Sequence, residues 1–450
     1  MSVTSARRAT GGGAGAATRL PPVARTASVT RAPAVSRAPA TGGLVAPVYA
    51  RERHAPDALV LALVVALTGL GILMVYSSSA MKGYADGYGT LATVGPQFVW
   101  AAVGMGCMLI AMRSDYRWLR LLSLPALIGA GILLLLVLFS PWRVEVGGST
   151  QWLKLPGLPV IQPGEFSKLA LVVYLAHWIT RRGTAIGSIR GGLIPFVVIV
   201  APFLLLIFKT PDIGSTAVLG ITAVVMLFVA GGNPLGILAL GAGTVLAASM
   251  FLKDYQLARL QAFPNPFENA LTTGFQSVQG LLALGLGGLF GAGLGDRAAA
   301  GGIVLPNAHN DYIFAVVGQE FGFVGAAFVV TAFVLLAWRG MRISLAAPDT
   351  FGALLAAGLT AYLCVQAFVN IGVVVTLLPI TGITLPFVSA GGSSLIVSLV
   401  AAGILLAISR ETAVHGGWVD ASGDRGRRHG RAHLPGSGRR PLAPRPAGRA

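Results

Sequence analysis

Ten apolar stretches, each about as long as a bilayer is thick, constrain this chain more than any other feature. They lie at about 57–80, 94–112, 119–139, 164–180, 191–208, 213–230, 235–252, 311–338, 352–378 and 391–409. A hydrocarbon core of about 30 Å takes roughly 20 apolar residues in helical form. A segment inside it must satisfy its own backbone N–H and C=O groups, which a helix does. The pattern predicts an all-α polytopic membrane protein with ten transmembrane helices. Composition agrees: 54% of the residues are hydrophobic and only 11% charged, where a soluble domain carries about 25% charge. A soluble cytosolic enzyme and a secreted disulfide scaffold are both excluded. The two cysteines, Cys107 and Cys364, sit in apolar runs and offer neither a disulfide nor a metal framework.

The net charge of +17 suggests nucleic acid until it is located. Residues 1–56 hold eight arginines against one acid, and residues 410–450 hold nine against three. Segments this rich in Gly, Ala, Pro and Arg bury too little apolar surface to offset their ordering entropy. Residues 1–56 and 411–450 are therefore expected to be disordered basic tails flanking a membrane domain at 57–410. No folded reader accompanies the arginines, so no nucleic-acid partner is expected. The loops carrying Arg113, Arg117 and Arg120, then Arg181, Arg182 and Arg190, then Arg339 and Arg342, all fall on the side of the tails. The positive-inside rule makes that side, and both termini, cytoplasmic.

Between helices 7 and 8 lies a long external loop, 253–310. Its apolar piece 278–295 holds seven glycines, and reads as re-entrant or interfacial instead of an eleventh span. A loop this long is usually functional or disordered, and its Gly- and aromatic-rich composition favours function.

Ionisable groups at membrane depth are costly and mark sites or pathways. Helix 4 opens with QPGEFSK, which supplies Gln162, Glu165 and Lys168. Glu165 and Lys168 share one face, so a self-neutralising pair competes with a functional one. Helix 8 opens with NAHNDYIFAVVGQE, which supplies His309, Asp311 and Glu320. At the helix N-terminus Asp311 has a plain N-cap as its competing role. Asp212 reads as an N-cap, and Gln366 and Asn370 as inter-helix glue. Ser393 and Ser394 follow the Pro/Gly-broken loop 379–390, where they could cap the last helix or help it hold an anion. No GxxxxGKS, HExxH or GxSxG motif occurs, so no nucleotide is expected and zinc or serine hydrolysis has no support.

Five of these segments, in order, resemble the SEDS family of FtsW, RodA and SpoVE: QPGEFSK, TPDIGSTAV, ARLQAFPNPFENALTTGFQSVQGLLALGLGGLFGAGLG, LPNAHNDYIFAVVGQEFGFVG and TLLPITGITLPFVSAGGSSL. The resemblance covers 57–410. GFQ at 274–276 and the GITLP form of the last loop are similar to the division member FtsW. Gln151 and Val160 depart from it, standing where basic residues are usual.

The resemblance implies a peptidoglycan glycosyltransferase polymerising lipid II, an undecaprenyl pyrophosphate-linked disaccharide-pentapeptide, at the outer face of the bacterial plasma membrane. The expected setting is the division septum, with a class B penicillin-binding protein and other division proteins as partners. Displacement at an anomeric carbon needs a base for the attacking 4-hydroxyl and positive charge for the leaving diphosphate. Asp311 is the expected catalytic base. Lys168, Lys154, Arg259 or a divalent metal, Mg²⁺ or Mn²⁺ held in part by Asp311, would meet the leaving group. Glu165, Lys168, Gln162, Gln276, His309, Glu320, Ser393 and Ser394 complete the expected substrate-binding set. The alternatives are an elongation-type RodA polymerase, a lipid II flippase using Glu165, Lys168 and Glu320, and a non-catalytic division scaffold.

Overall fold

The computed structural model describes residues 51–85, 90–146, 149–157, 159–250, 257–258, 260–261, 263–295 and 308–413, within one compact unit, Tyr49–Ala450. Both expected tails lie outside the described residues except at their inner ends. There β1 (Arg51–Arg53) pairs antiparallel with β4 (Glu411–Ala413).

Every apolar run is a helix. They are α1 (Ala58–Ala85), α2 (Thr90–Arg113), α3 (Trp118–Phe139), α4 (Pro163–Arg182), α5 (Ile194–Lys209), α6 (Ile213–Val229) and α7 (Pro234–Ser249). After the shorter α8 (Phe275–Gly287) come α9 (Ile313–Ala346), α10 (Thr350–Val374) and α11 (Gly392–Ser409). Among the described residues seven segments, in α1, α2, α3, α5, α9, α10 and α11, are long and apolar enough to cross a membrane. α6 and α7 are shorter, and α4 carries Glu165, Lys168, Arg181 and Arg182.

Placement in the bundle follows from which face is apolar. On α3, Ser123, Leu127, Ala130, Leu134 and Val137 are buried, while Leu121, Leu124, Ile128, Ile132 and Leu135 are exposed. These are opposite stripes at helical spacing, one toward the core and one toward lipid. α10 and α11 are buried over most of their surface and form the centre. α11 approaches α2 so closely that a Cβ at Gly403 would stand 2.5 Å from the Met108 carbonyl oxygen.

The helix over the apolar run 311–338, α9, is broken. At Gly322 the backbone turns to φ +66° and ψ −161°, so the element is two helices in series, 313–321 and 323–346. The segment following α8 repairs the break. Ala292 N–H donates to Gln319 O (2.9 Å) and Gly293 N–H to Glu320 O (3.2 Å). Phe323 N–H donates to Gly288 O (2.8 Å) and Val324 N–H to Leu289 O (3.2 Å). Irregular backbone survives in such surroundings only where protein satisfies its polar groups.

The two ends of the bundle differ in chemistry. At one, Arg117 pairs with Asp115, Asp349 and Glu411, Arg120 pairs with Asp349, and Arg339 with Asp57. The α2–α3 turn, the α9–α10 turn and the β1–β4 ribbon therefore meet at one end. The other end carries the hairpin of β2 (Arg143–Val146) and β3 (Ser149–Leu153) and the loop 379–391.

A candidate active site at the loop-bearing end

The first turn of α4 is built for a buried charge. Pro163 occupies the start of the helix, where its missing N–H costs nothing. One turn in, Lys168 Nζ lies 2.7 Å from Glu165 Oε1 and 2.6 Å from Gln366 Oε1. Tyr362 donates its hydroxyl to Glu165 Oε2 at 3.2 Å. The two charged side chains are 0% and 3% exposed. Burying an ion pair costs several kcal/mol per ion unless geometry and further hydrogen bonds compensate. Here two side chains from α10 provide the further bonds. Asp212 caps α6 as expected, accepting the Ser215 N–H at 2.9 Å. It also lies within electrostatic reach of Lys168 and Glu165, and its burial raises its carboxyl pKa despite the Ser215 bonds.

Gln366 continues the network. Its amide donates to Thr384 O (3.2 Å), Thr384 Oγ1 (3.3 Å) and Ser394 Oγ (3.4 Å), and Thr384 and Ser394 share a 2.7 Å hydrogen bond. Ser393 Oγ accepts the Gln162 backbone N–H at 3.0 Å, while the Gln162 amide reaches Gln151 Oε1 at 3.0 Å. The capping role considered for Ser393 and Ser394 is thereby corrected. Gly391 is the N-cap of α11, with no side-chain cap bond, because both hydroxyls lie inside the helix and are drawn to α4 and to the loop.

Asp311 sits where the same loop meets the head of α9, and is 8% exposed. Asn370 donates to Asp311 O (2.8 Å) and to Ile383 O (2.6 Å). Ser389 donates to Asn310 O (2.5 Å), and Ala390 N–H to His309 O (2.8 Å). The turn 308–312 is thus sewn to the loop through its backbone. The cap of α9 is Tyr312, without a side-chain cap bond, so the Asp311 carboxylate is not the N-cap. A Cβ on Gly382, whose φ is +70°, would stand 3.9 Å from Asp311 Oδ2. That φ is what calls for glycine there, since an added Cβ would rest in ordinary contact with the carboxylate.

The other expected residues are placed less centrally. Gln276 is half-buried on α8, one turn before Gly280, whose Cβ would meet the Tyr312 ring at 2.8 Å. Glu320 is buried but about 13 Å further along α9 at 1.5 Å per residue, where it accepts from Ser77 of α1 at 2.5 Å. It is not brought to the Glu165–Lys168 pair. Lys154 is exposed beyond the hairpin. Arg259 lies outside the described residues. Tyr362 and Thr384 were missed, and Gln366 and Asn370 proved to hold a loop as well as helices. The spacing of two amides one turn apart was the available signal. Among the described residues no group of three or more His, Cys, Asp or Glu gathers to hold a metal.

This geometry is a lipid-embedded helical bundle with a buried carboxylate and a buried ion-pair network joined through α10 and one loop. Residues 57–414 match the family model of FtsW, RodA and SpoVE, described as cell cycle protein, and the chain belongs to that family. It is 41% identical over 364 residues to a probable peptidoglycan glycosyltransferase FtsW of Geobacter sulfurreducens, covering 80% of this chain and 96% of that one. It is 38% identical over 366 residues to stage V sporulation protein E of Bacillus subtilis, covering 80% and 98%. Among solved structures it is similar to Thermus thermophilus RodA, with a TM-score of 0.59, 26% identity, and coverage of 79% of this chain and 97% of that one. It is also similar to a chain of a peptidoglycan synthase complex, with a TM-score of 0.64, 27% identity, and coverage of 79% and 98%.

Proposed function

We propose that this chain is a peptidoglycan glycosyltransferase of the FtsW type that polymerises lipid II with Asp311 as its catalytic base. The observation that carries the site assignment is the placement of Asp311. It is a buried carboxylate outside the cap position, with its backbone held by Asn370 where the loop 379–391 meets α9. In the reaction a sugar 4-hydroxyl attacks the anomeric carbon, the bond from that carbon to the diphosphate oxygen breaks, and Asp311 takes the hydroxyl proton. General-base help of this kind is worth about 10²–10⁴-fold. The diphosphate leaves with two electrons and needs positive charge. Lys168, Lys154 and Arg259 are the candidates to supply it.

A divalent ion would be held by Asp311 together with diphosphate oxygens, since Mg²⁺ is often bound by one or two carboxylates plus substrate phosphates. The donors present do not build a full protein cage, and no step above depends on the ion. We take the chain to cross the plasma membrane ten times, with the arginine-bearing end and both tails cytoplasmic and the loop 253–310 external, and to act at the septum with a class B penicillin-binding protein and other division proteins. The test is polymerisation of fluorescent lipid II in detergent by the purified chain with its partner, with and without EDTA. Detergent leaves no second compartment, so a flippase or scaffold would make no glycan chains. That result would overturn the proposal.

A further inference from the structure

At the arginine-bearing end, a cavity of about 680 Å³ opens between the start of α3 and the end of α4. Its polar part is formed by Asp115, Arg117, Arg120, Ser123, His177 and Arg181, and its apolar part by Trp118, Leu121 and Leu124. We propose that this cavity binds one anionic glycerophospholipid, its phosphate between Arg120, His177 and Arg181 and an acyl chain along α3.

The pairing of the charges leaves hydrogen-bond donors open to an anion. Arg117, also at the cavity, is taken up by Asp115, Asp349 and Glu411. Asp349 is saturated: it accepts from Tyr116, Arg117, Arg120 and the Gly352 N–H. Arg120 gives Asp349 only its Nη2, and its buried Nε has no hydrogen-bond partner among the described residues. His177 and Arg181 stand one turn apart on α4, and His177 lies within electrostatic reach of both Arg181 and Arg120. No carboxylate pairs with Arg181 among the described residues. Arg181 without a carboxylate partner and the open Nε of Arg120 are thus the donors left for an anion, with His177 in reach of both.

The apolar half determines which anion fits. Trp118, Leu121 and Leu124 are 67%, 70% and 51% exposed and begin the lipid-facing stripe of α3. Tryptophan is enriched at the membrane interface, and basic pockets between membrane helices hold anionic head groups. A free phosphate would leave this half of the cavity uncovered. The flanking segments 1–50 and 414–450 carry fourteen arginines against two acids, so they add far more positive than negative charge.

Trp118 is a reporter inside the cavity. The full chain in nanodiscs receives brominated phosphatidylglycerol or brominated phosphatidylcholine as a minor component, and the Trp118 signal is the difference between the parent and Trp118→Phe. The expected result is at least three-fold stronger quenching of that signal by the anionic lipid. The preference should vanish in His177→Ala/Arg181→Ala, persist in Arg181→Lys, and weaken in the parent at high salt. Equal quenching by the two lipids would overturn the proposal. So would a preference retained in the double variant, which would assign it to the basic flanking segments. If the double variant does not fold, Arg181→Ala alone replaces it, and a preference it retains in full would overturn the proposal.

Discussion

Asn370 and Gln366 stand one turn apart on α10 and grip consecutive carbonyls of one loop, Asn370 that of Ile383 and Gln366 that of Thr384. Each also holds one half of the site: Asn370 the Asp311 backbone, Gln366 the Lys168 ammonium. The central helix therefore sets the position of the carboxylate relative to the cation network. Asn370→Asp is nearly isosteric but removes both donated bonds and turns a charge toward two carbonyls. An unmet buried acceptor costs about 1–3 kcal/mol. The expected outcome is a lowered melting temperature in detergent and a loss of polymerisation at least ten-fold, measured on the same preparation.

Asp311→Asn should leave thermal stability and partner binding unchanged while lowering polymerisation by about 10²–10⁴-fold, the range of general-base catalysis. Tyr312 caps α9 instead, so the substitution takes no cap bond from the helix. Lipid II polymerisation within a few-fold of the parent would remove Asp311 from the mechanism.

The α8–α9 crossing makes a backbone prediction. A Cβ on Gly291, whose φ is +87°, would meet the Glu320 carbonyl oxygen at 2.1 Å, whereas one on Gly285 meets nothing within 4 Å. Gly291→Ala should destabilise by about 1–3 kcal/mol through strain and displacement. Gly285→Ala, inside α8, should be neutral or slightly stabilising. Melting temperatures of the two variants check the contrast.

This crossing also marks where the sequence stopped being informative. Helix limits followed hydropathy to within a few residues in most runs, because lipid demands a local solution for every backbone group. The Asp212 cap was legible because cap and helix are adjacent in the chain. The break at Gly322 was not: the chain holds 60 glycines, and what distinguishes this one is partners some thirty residues earlier. The Ser393 and Ser394 hydroxyls misled for the same reason, since Gln162, Thr384 and Gln366 compete for them from other elements. Glu165 and Lys168 were legible as a pair, but their partners Tyr362 and Gln366 were not, because those contacts span almost 200 positions.

The arginine-bearing end gives a pH dependence. Burial alone would raise the Asp349 carboxyl, but the Gly352 N–H, the Tyr116 hydroxyl, Arg120 and Arg117 outweigh it and hold the pKa below the usual 3.8. The folded state therefore favours the ionised form. That stabilisation is fully present above the unfolded pKa and is lost as pH falls through the lower folded value. Melting temperature should fall steeply below about pH 4, and Asp349→Asn should be less stable than the parent at neutral pH with a shallower acid limb. An acid limb unchanged in the variant would exclude Asp349 as its source.

The buried pair makes the most discriminating prediction. Lys168→Met leaves Glu165 charged, buried and held only by Tyr362. Breaking a buried pair from one side costs about 3–5 kcal/mol, so this single variant should express poorly or melt early. Glu165→Gln/Lys168→Met removes both charges and keeps similar volumes, a change often neutral or stabilising. The double variant should regain the parent's melting temperature. If the pair merely neutralises itself, activity should return with stability. If Lys168 supplies charge to the leaving diphosphate, the double variant should fold, bind its partner and polymerise at least ten-fold more slowly. Restored stability without restored polymerisation is the expected outcome, and recovery of both in the same preparation would assign the pair a structural role alone.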